Sequence, residues 1–237
     1  MKIEIWSDIM CPFCYIGKRR LEAALEEFPH KDKVEVVWKS FLLNPEMETD
    51  PEKSIAQYLA ETKGWTLEQA KDAGDQVAAM AREEGLEYDF DKVVVANGRR
   101  AHRLLQYAKM VEKGDQMKER LFKAYFTEGV NIADETALVP LAEEVGLDVE
   151  KAKEALRSKD FDRAVNHDIY ESQQLGVRGV PFFVLDQKYG VSGAQAKETF
   201  AQALEQAWKA YEQEKPQLQS VSGAADGAAC DMDGNCN

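Results

Sequence analysis

Two cysteines separated by two residues, Cys11-Pro12-Phe13-Cys14, stand where an alternating run ends and a helical spacing begins. Lys2 to Trp6 alternates polar and apolar residues, the pattern of a half-buried strand. After Cys11 the apolar residues Cys14, Leu21, Ala24, Leu25 and Phe28 recur at helical period. Pro12 falls in the first turn, where its missing N–H costs nothing. Val34-Glu35-Val36-Val37-Trp38 is a second β-rich run, closed by Asn44-Pro45. Residues 1–45 therefore read strand, helix, strand, and two strands joined by such a crossover are expected parallel.

From Pro51 to about Gln174 the pattern is helix after helix, with spans expected at about 52–63, 66–84, 98–113, 115–127, 135–145, 149–157 and 160–174. Thr66-Leu67-Glu68-Gln69 fits a capping box. Gly85, Gly114, Gly129 and Gly146 fall where helix ends favour left-handed geometry. Lys92-Val93-Val94-Val95 is the one ambiguous stretch. Then Val180-Pro181-Phe182-Phe183-Val184-Leu185 reads as a buried strand, Asp186-Gln187-Lys188 as a tight turn, and Tyr189 to Ser192 as the returning strand of a hairpin. Ala194 to Glu214 is amphipathic, with Phe200, Leu204, Ala207, Trp208 and Tyr211 on one face.

The order β-α-β, long insertion, β-β-α is an α/β arrangement: the thioredoxin fold with a large all-helical insertion domain. The expected division is 1–48 plus 176–215 for the thioredoxin-fold part, 49–175 for the insertion, and 216–237 for a flexible tail with almost nothing to bury. The 237 residues carry a net charge of −13, which argues against nucleic-acid backbones and anionic membrane surfaces as partners. The longest apolar run, Val180 to Leu185, is far short of the roughly 20 residues that cross a bilayer. A strand beginning directly at Met1, with no apolar leader, makes a cytoplasmic product the simpler expectation.

In a reduced cytosol, paired cysteines are more often catalytic or metal-binding than structural. A cysteine at a helix N-terminus meets unpaired N–H groups and the positive end of the helix dipole, which favour the thiolate that attacks disulfides. Cys14, one turn on, is placed to reach Cys11 and release a mixed disulfide. The alternatives are two incidental cysteines or half of a zinc site. Zinc would need two further ligands, and no nearby Cys or His pair offers them, so no metal is assigned.

Several segments together resemble the DsbA-like thioredoxin-fold family, and within it the FrnE-like branch. They are Ser7-Asp8-Ile9-Met10-Cys11-Pro12-Phe13-Cys14-Tyr15-Ile16-Gly17, Asn97 with Ala101-His102-Arg103-Leu104, Gly176 to Val184, and Val191-Ser192-Gly193-Ala194-Gln195. The resemblance covers about residues 1–213. It implies a thiol–disulfide oxidoreductase or disulfide isomerase with Cys11 as nucleophile, Cys14 as resolving cysteine and Pro12 and Phe13 as active-site support. It further implies that Pro181 is a cis-proline and that the backbone of Val180 pairs with substrate. Asn97 and His102 would face the interface near the cysteines, though a plain hydrogen-bonded interface histidine is the blander reading. No bound cofactor is implied; glutathione or a thioredoxin-type system is the expected redox partner, and thiol- or disulfide-containing proteins or small molecules the expected substrates. Phe13 stands where periplasmic DsbA has a histidine, which implies a less depressed thiol and a less oxidising couple.

Two alternatives stay open. Glutathione-dependent isomerases and transferases of the same superfamily carry serine in place of Cys11, so this chain departs from them there. A non-catalytic redox-switched binding protein or holdase would use the same cysteines to change partner affinity. The tail pair Cys230 and Cys236, with five residues between them including two acids, reads as an auxiliary redox relay, an idle disulfide or a weak soft-metal site. The 14 residues from Pro216 to Cys230 would reach roughly 20 Å as a flexible coil.

Overall fold

Lys2–Ser7 forms the first strand, β1, and the Cys11-Pro12 turn leads straight into helix α1, Pro12–Glu27. The computed structural model describes residues 1–214; the tail expected over 216–237, with Cys230 and Cys236, lies outside the described residues. Strand β2, Glu35–Ser40, pairs parallel with β1, in register Ile3 with Val36 and Ile5 with Trp38. The chain then leaves this sheet through β3 (Asp50–Ser54), α2 (Ile55–Lys63), α3 (Leu67–Glu83), β4 (Val94–Val95), α4 (Arg99–Met110) and α5 (Gly114–Phe126). It continues through α6 (Glu135–Glu144), α7 (Val149–Arg157) and α8 (Lys159–Gln174) before returning as β5 (Phe182–Leu185), β6 (Tyr189–Ser192) and α9 (Lys197–Gln213). Among the described residues the main sheet has the order β2-β1-β5-β6, with β5 antiparallel to β1. That is the thioredoxin order, with the long insertion between β2 and β5.

β1 is buried along both faces, where the alternation of the sequence predicts one wet face. The reason is position: β1 lies between β2 and β5, with α8 reaching one face through Trp6 and α9 packing on the other through Phe183. Ile3 and Ile5 share a face with Phe183, whose ring meets Phe200 of α9 edge-on at 4.7 Å. On the opposite face Trp6 donates its Nε1–H to the Asp168 carbonyl of α8 at 2.7 Å, and Glu4 faces the Lys2 and Lys39 ammoniums. The hairpin turns through Asp186 and Gln187, both left-handed at φ 50° and 57°, a pairing that matches the twist of the strands it joins.

The insertion is not all-helical. Asp50–Ser54 pairs antiparallel with Val94–Val95, so the helix expected from 52 starts at Ile55 instead. Ser54 is its N-cap, closing a capping box with Gln57. The second expected capping box, Thr66 with Gln69, is present on α3. Gly114 does not end a helix but opens α5, and the left-handed turn before it is taken by Glu112 at φ 57°. Gly129 does adopt φ 70°, and a Cβ there would lie 2.6 Å from the Lys92 carbonyl oxygen, so the close approach of two chain segments requires glycine. No helix among the described residues is long and apolar enough to cross a membrane.

Candidate active site

The end of β1 delivers a four-residue turn, Asp8 to Cys11, closed by the Cys11 N–H donating to the Asp8 carbonyl at 3.3 Å. Cys11 is the N-cap residue of α1, with Pro12 in the first turn and the Cys14 N–H donating to the Cys11 carbonyl at 3.0 Å. Both cysteines are reduced and buried, while Phe13 between them is 39% exposed. The Val180–Pro181 peptide is cis, and the Cys11 thiol donates to the Val180 carbonyl at 3.4 Å. The first helix and the start of β5 thus meet at the sulfur. Gly17 allows that meeting: a Cβ there would lie 3.1 Å from both the Pro181 ring and the Phe183 ring.

The hydrogen bond shared with Cys14, burial and the charge of Cys14 push the Cys11 thiol well above its ordinary value, and the Asp8 carboxylate adds to this. The helix N-terminus acts the other way, through the Cys14 N–H, and is outweighed. The helix N-terminus alone predicts a depressed thiol, less so with Phe13 in place of a histidine; burial beside Cys14 reverses the direction. Two thiols in one dry pocket titrate as a pair, and the second charge is strongly disfavoured.

Beneath the turn lies a buried polar cluster. Asp8 is fully buried, and its carboxylate accepts from the Met10 N–H at 3.2 Å and the Leu43 N–H at 2.7 Å. His102 of α4, also fully buried, places Nε2 3.3 Å from Asp8 Oδ1. Burial raises the Asp8 carboxyl, but the His102 hydrogen bond and the two backbone donors outweigh it and hold the group below its ordinary value. Burial pushes the His102 imidazole down, and Asp8 only partly offsets that. A neutral ring with its proton on Nε2 fits this carboxylate partner. Asn97 stands further out, its side-chain amide donating to the Pro45 and Met47 carbonyls at 3.2 and 2.8 Å. It ties down the loop after β2 and makes no hydrogen bond to the cysteines among the described residues. Of the two interface candidates, His102 reaches the active-site turn and Asn97 does not.

Two further residues, missed in the sequence, reach the dithiol turn. Tyr88, after α3, donates its hydroxyl to the Pro12 carbonyl at 2.7 Å, and its ring stacks on Phe126. Lys118 of α5 is fully buried, and its ammonium donates to the Ser7 carbonyl at 3.4 Å. The signal for Lys118 is its place in an otherwise apolar stripe, Lys118, Leu121, Phe122 and Tyr125, all of them buried. Elsewhere His167, Asp168 and Glu171 gather within 4.8 Å of one another, as metal ligands would. The Lys39 ammonium already stands 2.7 Å from Glu171 and 3.5 Å from Asp168, with Lys109 3.4 Å from Asp168. The cluster is an ion-pair network with its positive charge supplied by lysine.

A thioredoxin-fold sheet presenting a vicinal dithiol at the tip of its first helix, against an X-Pro turn, defines a class of protein. The DSBA-like thioredoxin domain family matches residues 2–205, and the chain belongs to that family. The uncharacterized protein YwbO of Bacillus subtilis (strain 168) is 32% identical over 213 residues, covering 85% of this chain and 94% of that protein. The crystal structure of a probable DsbA oxidoreductase from Streptomyces coelicolor is 40% identical, covers 100% of this chain and 98% of its own, and superposes with a TM-score of 0.85. The cytosolic disulfide reductase DsbM from Pseudomonas aeruginosa shares the fold, with a TM-score of 0.61 at 17% identity over 90% of this chain and 98% of its own.

Proposed function

We propose that the protein is a thiol–disulfide oxidoreductase or disulfide isomerase that works through Cys11 and Cys14. The observation that supports this reading best is the Cys11 sulfur at the tip of α1, 3.4 Å from the Val180 carbonyl, with Cys14 sharing its hydrogen bond one turn below. Cys11, as thiolate, attacks one sulfur of a substrate disulfide. The Cys11–substrate S–S bond forms, the substrate S–S bond breaks, and the first thiolate departs. Cys14 then loses its proton and attacks the Cys11 sulfur, closing the Cys11–Cys14 disulfide and releasing the second thiolate. The dithiol gives up two electrons, and the two protons lost by the cysteines end on the two departing thiolates. Run in reverse, the same steps oxidise a substrate dithiol. Glutathione or a thioredoxin-type system, itself a thiol donor, would return the cysteines to the reduced state.

Once Cys11 has lost its proton, the Val180 carbonyl is free to accept from a substrate backbone N–H, and exposed Phe13 offers an apolar contact beside it. The carbonyl therefore orients a peptide across the sulfur. Placement in the FrnE-like branch, a cytoplasmic site of action and the division into 1–48 plus 176–215 and 49–175 belong to this same reading. Cysteine at position 11, rather than the serine of the glutathione-dependent isomerases, favours dithiol exchange over small-molecule isomerisation. Insulin reduction and refolding of scrambled ribonuclease test the proposal: the wild type should turn over, and Cys11→Ser should not. Equal behaviour of the two proteins would overturn the dithiol reading; saturable glutathione binding that survives loss of Cys14 would then favour the isomerase alternative, and its absence the binding protein.

A further inference from the structure

Lys118 is a buried cation that the steps above do not use. Its ammonium has three N–H donors, yet its one hydrogen bond among the described residues is to the Ser7 carbonyl at 3.4 Å, and no carboxylate among them lies within ion-pair distance. Two rings hold it in place, its nitrogen lying 5.4 Å from the Trp38 centroid and 4.6 Å from that of Phe122. Phe122 stacks at 4.8 Å on Tyr15, the residue after Cys14. The groups facing the ammonium are Cys14 and Cys11 at the tip of α1, Asp8 in the turn after β1, and Lys109 and His102 of α4, with Cys14 the strongest among them. The Asp8 charge is already met by His102 and two backbone N–H groups. Tyr125 of α5 also faces Asp8, and Tyr88 faces both cysteines. An unpaired buried ammonium is costly, so a role that needs a positive charge at this spot explains its presence.

We propose that Lys118 is the positioning residue that supplies the counter-charge for Cys14 while Cys14 resolves the mixed disulfide. The inference rests on the dithiol reading above. Between losing its proton and forming the S–S bond, Cys14 is an anion in a pocket 1% exposed, and the ammonium is the cation that faces it. Burial lowers the Lys118 ammonium to about 8, so the charge is present at neutral pH and disappears just above it.

The test measures the resolving rate of the full chain across pH for the wild type, Lys118→Met and Lys118→Arg. The wild-type rate should turn down above about pH 8, against the ordinary rise of thiol reactivity. Lys118→Met should be about tenfold slower near neutral pH with no downturn, and Lys118→Arg should keep the rate and lose the downturn. A Lys118→Met protein with the wild-type rate and profile overturns the inference. A second measurement needs no change at Lys118: its ammonium is titrated by NMR in the reduced wild type and in Cys14→Ala. The wild-type group should hold its proton about tenfold more tightly, and identical midpoints overturn the inference. Turnover that requires Cys11 but ignores Lys118 sinks this inference alone, whereas turnover indifferent to Cys11 sinks the dithiol reading.

Discussion

The His102 ring nitrogen Nε2 lies 3.3 Å from Asp8 Oδ1, and this buried pair couples helix α4 of the insertion to the turn that carries Cys11. Both groups have their ordinary values lowered in the fold, so both make the protein less stable in acid, in different windows. As pH falls below about 6.5, the unfolded chain binds a proton on His102 that the fold resists, and stability drops. Asp8 acts later: its contribution is full above about 3.9 and is lost as pH falls through its lower folded value. Urea midpoints from neutral to acid pH should fall with this sense, and His102→Gln should flatten the first part of the fall. Removing the carboxylate with Asp8→Ala should cost about 3 kcal/mol at neutral pH.

Gly17→Ala should destabilise the protein even though alanine is the better helix former. The helix preference is worth about 1 kcal/mol in favour of alanine. Against it, the new methyl would stand 3.1 Å from the rings of Pro181 and Phe183, and Phe183 is fully buried against Phe200 and cannot retreat. Overpacking of this kind costs about 1–3 kcal/mol, so the net should be a lower melting temperature with slower turnover, because Pro181 is the group displaced. A raised melting temperature would show that the ring contacts yield.

Tyr88→Phe should remove the hydrogen bond to the Pro12 carbonyl while keeping the ring stack on Phe126. A loss of about 1 kcal/mol is expected. The Cys11 turn should open more often, which faster alkylation of Cys11 at unchanged pH would report.

Lys118→Met should stabilise the protein near neutral pH, at the expense of the resolving step. The ammonium is lowered from 10.5 to about 8, so below that value the fold carries the full penalty of a buried charge, up to about 3 kcal/mol. Between about 8 and 10.5 the unfolded state binds more protons than the fold, the wild type gains stability, and the advantage of methionine should shrink. Chemical denaturation of both proteins at two pH values checks the sign.

The parts of the fold that could be read along the chain are those set by local pattern. The alternation of Lys2 to Trp6, the Pro12 helix start and the hairpin around Asp186-Gln187 are local, and they place the dithiol and Val180-Pro181. The β3–β4 ribbon could not be read, because Asp50–Ser54 is polar, holds a proline and lacks β-branched residues; only Val94 and Val95 give it strand character. Tyr88 and Lys118 lie 74 and 104 residues beyond Cys14, and nothing local marks them as neighbours of the cysteines. Asp8 sat inside the motif that carried the family resemblance, yet its role emerged only with His102 and the Leu43 N–H folded around it. The Cys11 thiol shows the limit of a one-group argument: the helix N-terminus was legible, and the dry pocket shared with Cys14 was not.

Phe13 in the position of a histidine, together with the upward push on Cys11, predicts a couple less oxidising than that of periplasmic DsbA, about −120 mV. Redox titration against glutathione gives the value. A potential as oxidising as that figure would contradict the link between burial and poise.

The most direct measurement equilibrates the reduced protein with glutathione disulfide and follows, by mass after alkylation, which thiols become protected. Cys11 and Cys14 should be lost together as one two-electron couple, the change should reverse with reduced glutathione, and Cys11→Ser should leave Cys14 alkylatable. Cysteines that stay separately reactive under every glutathione ratio would contradict the dithiol reading.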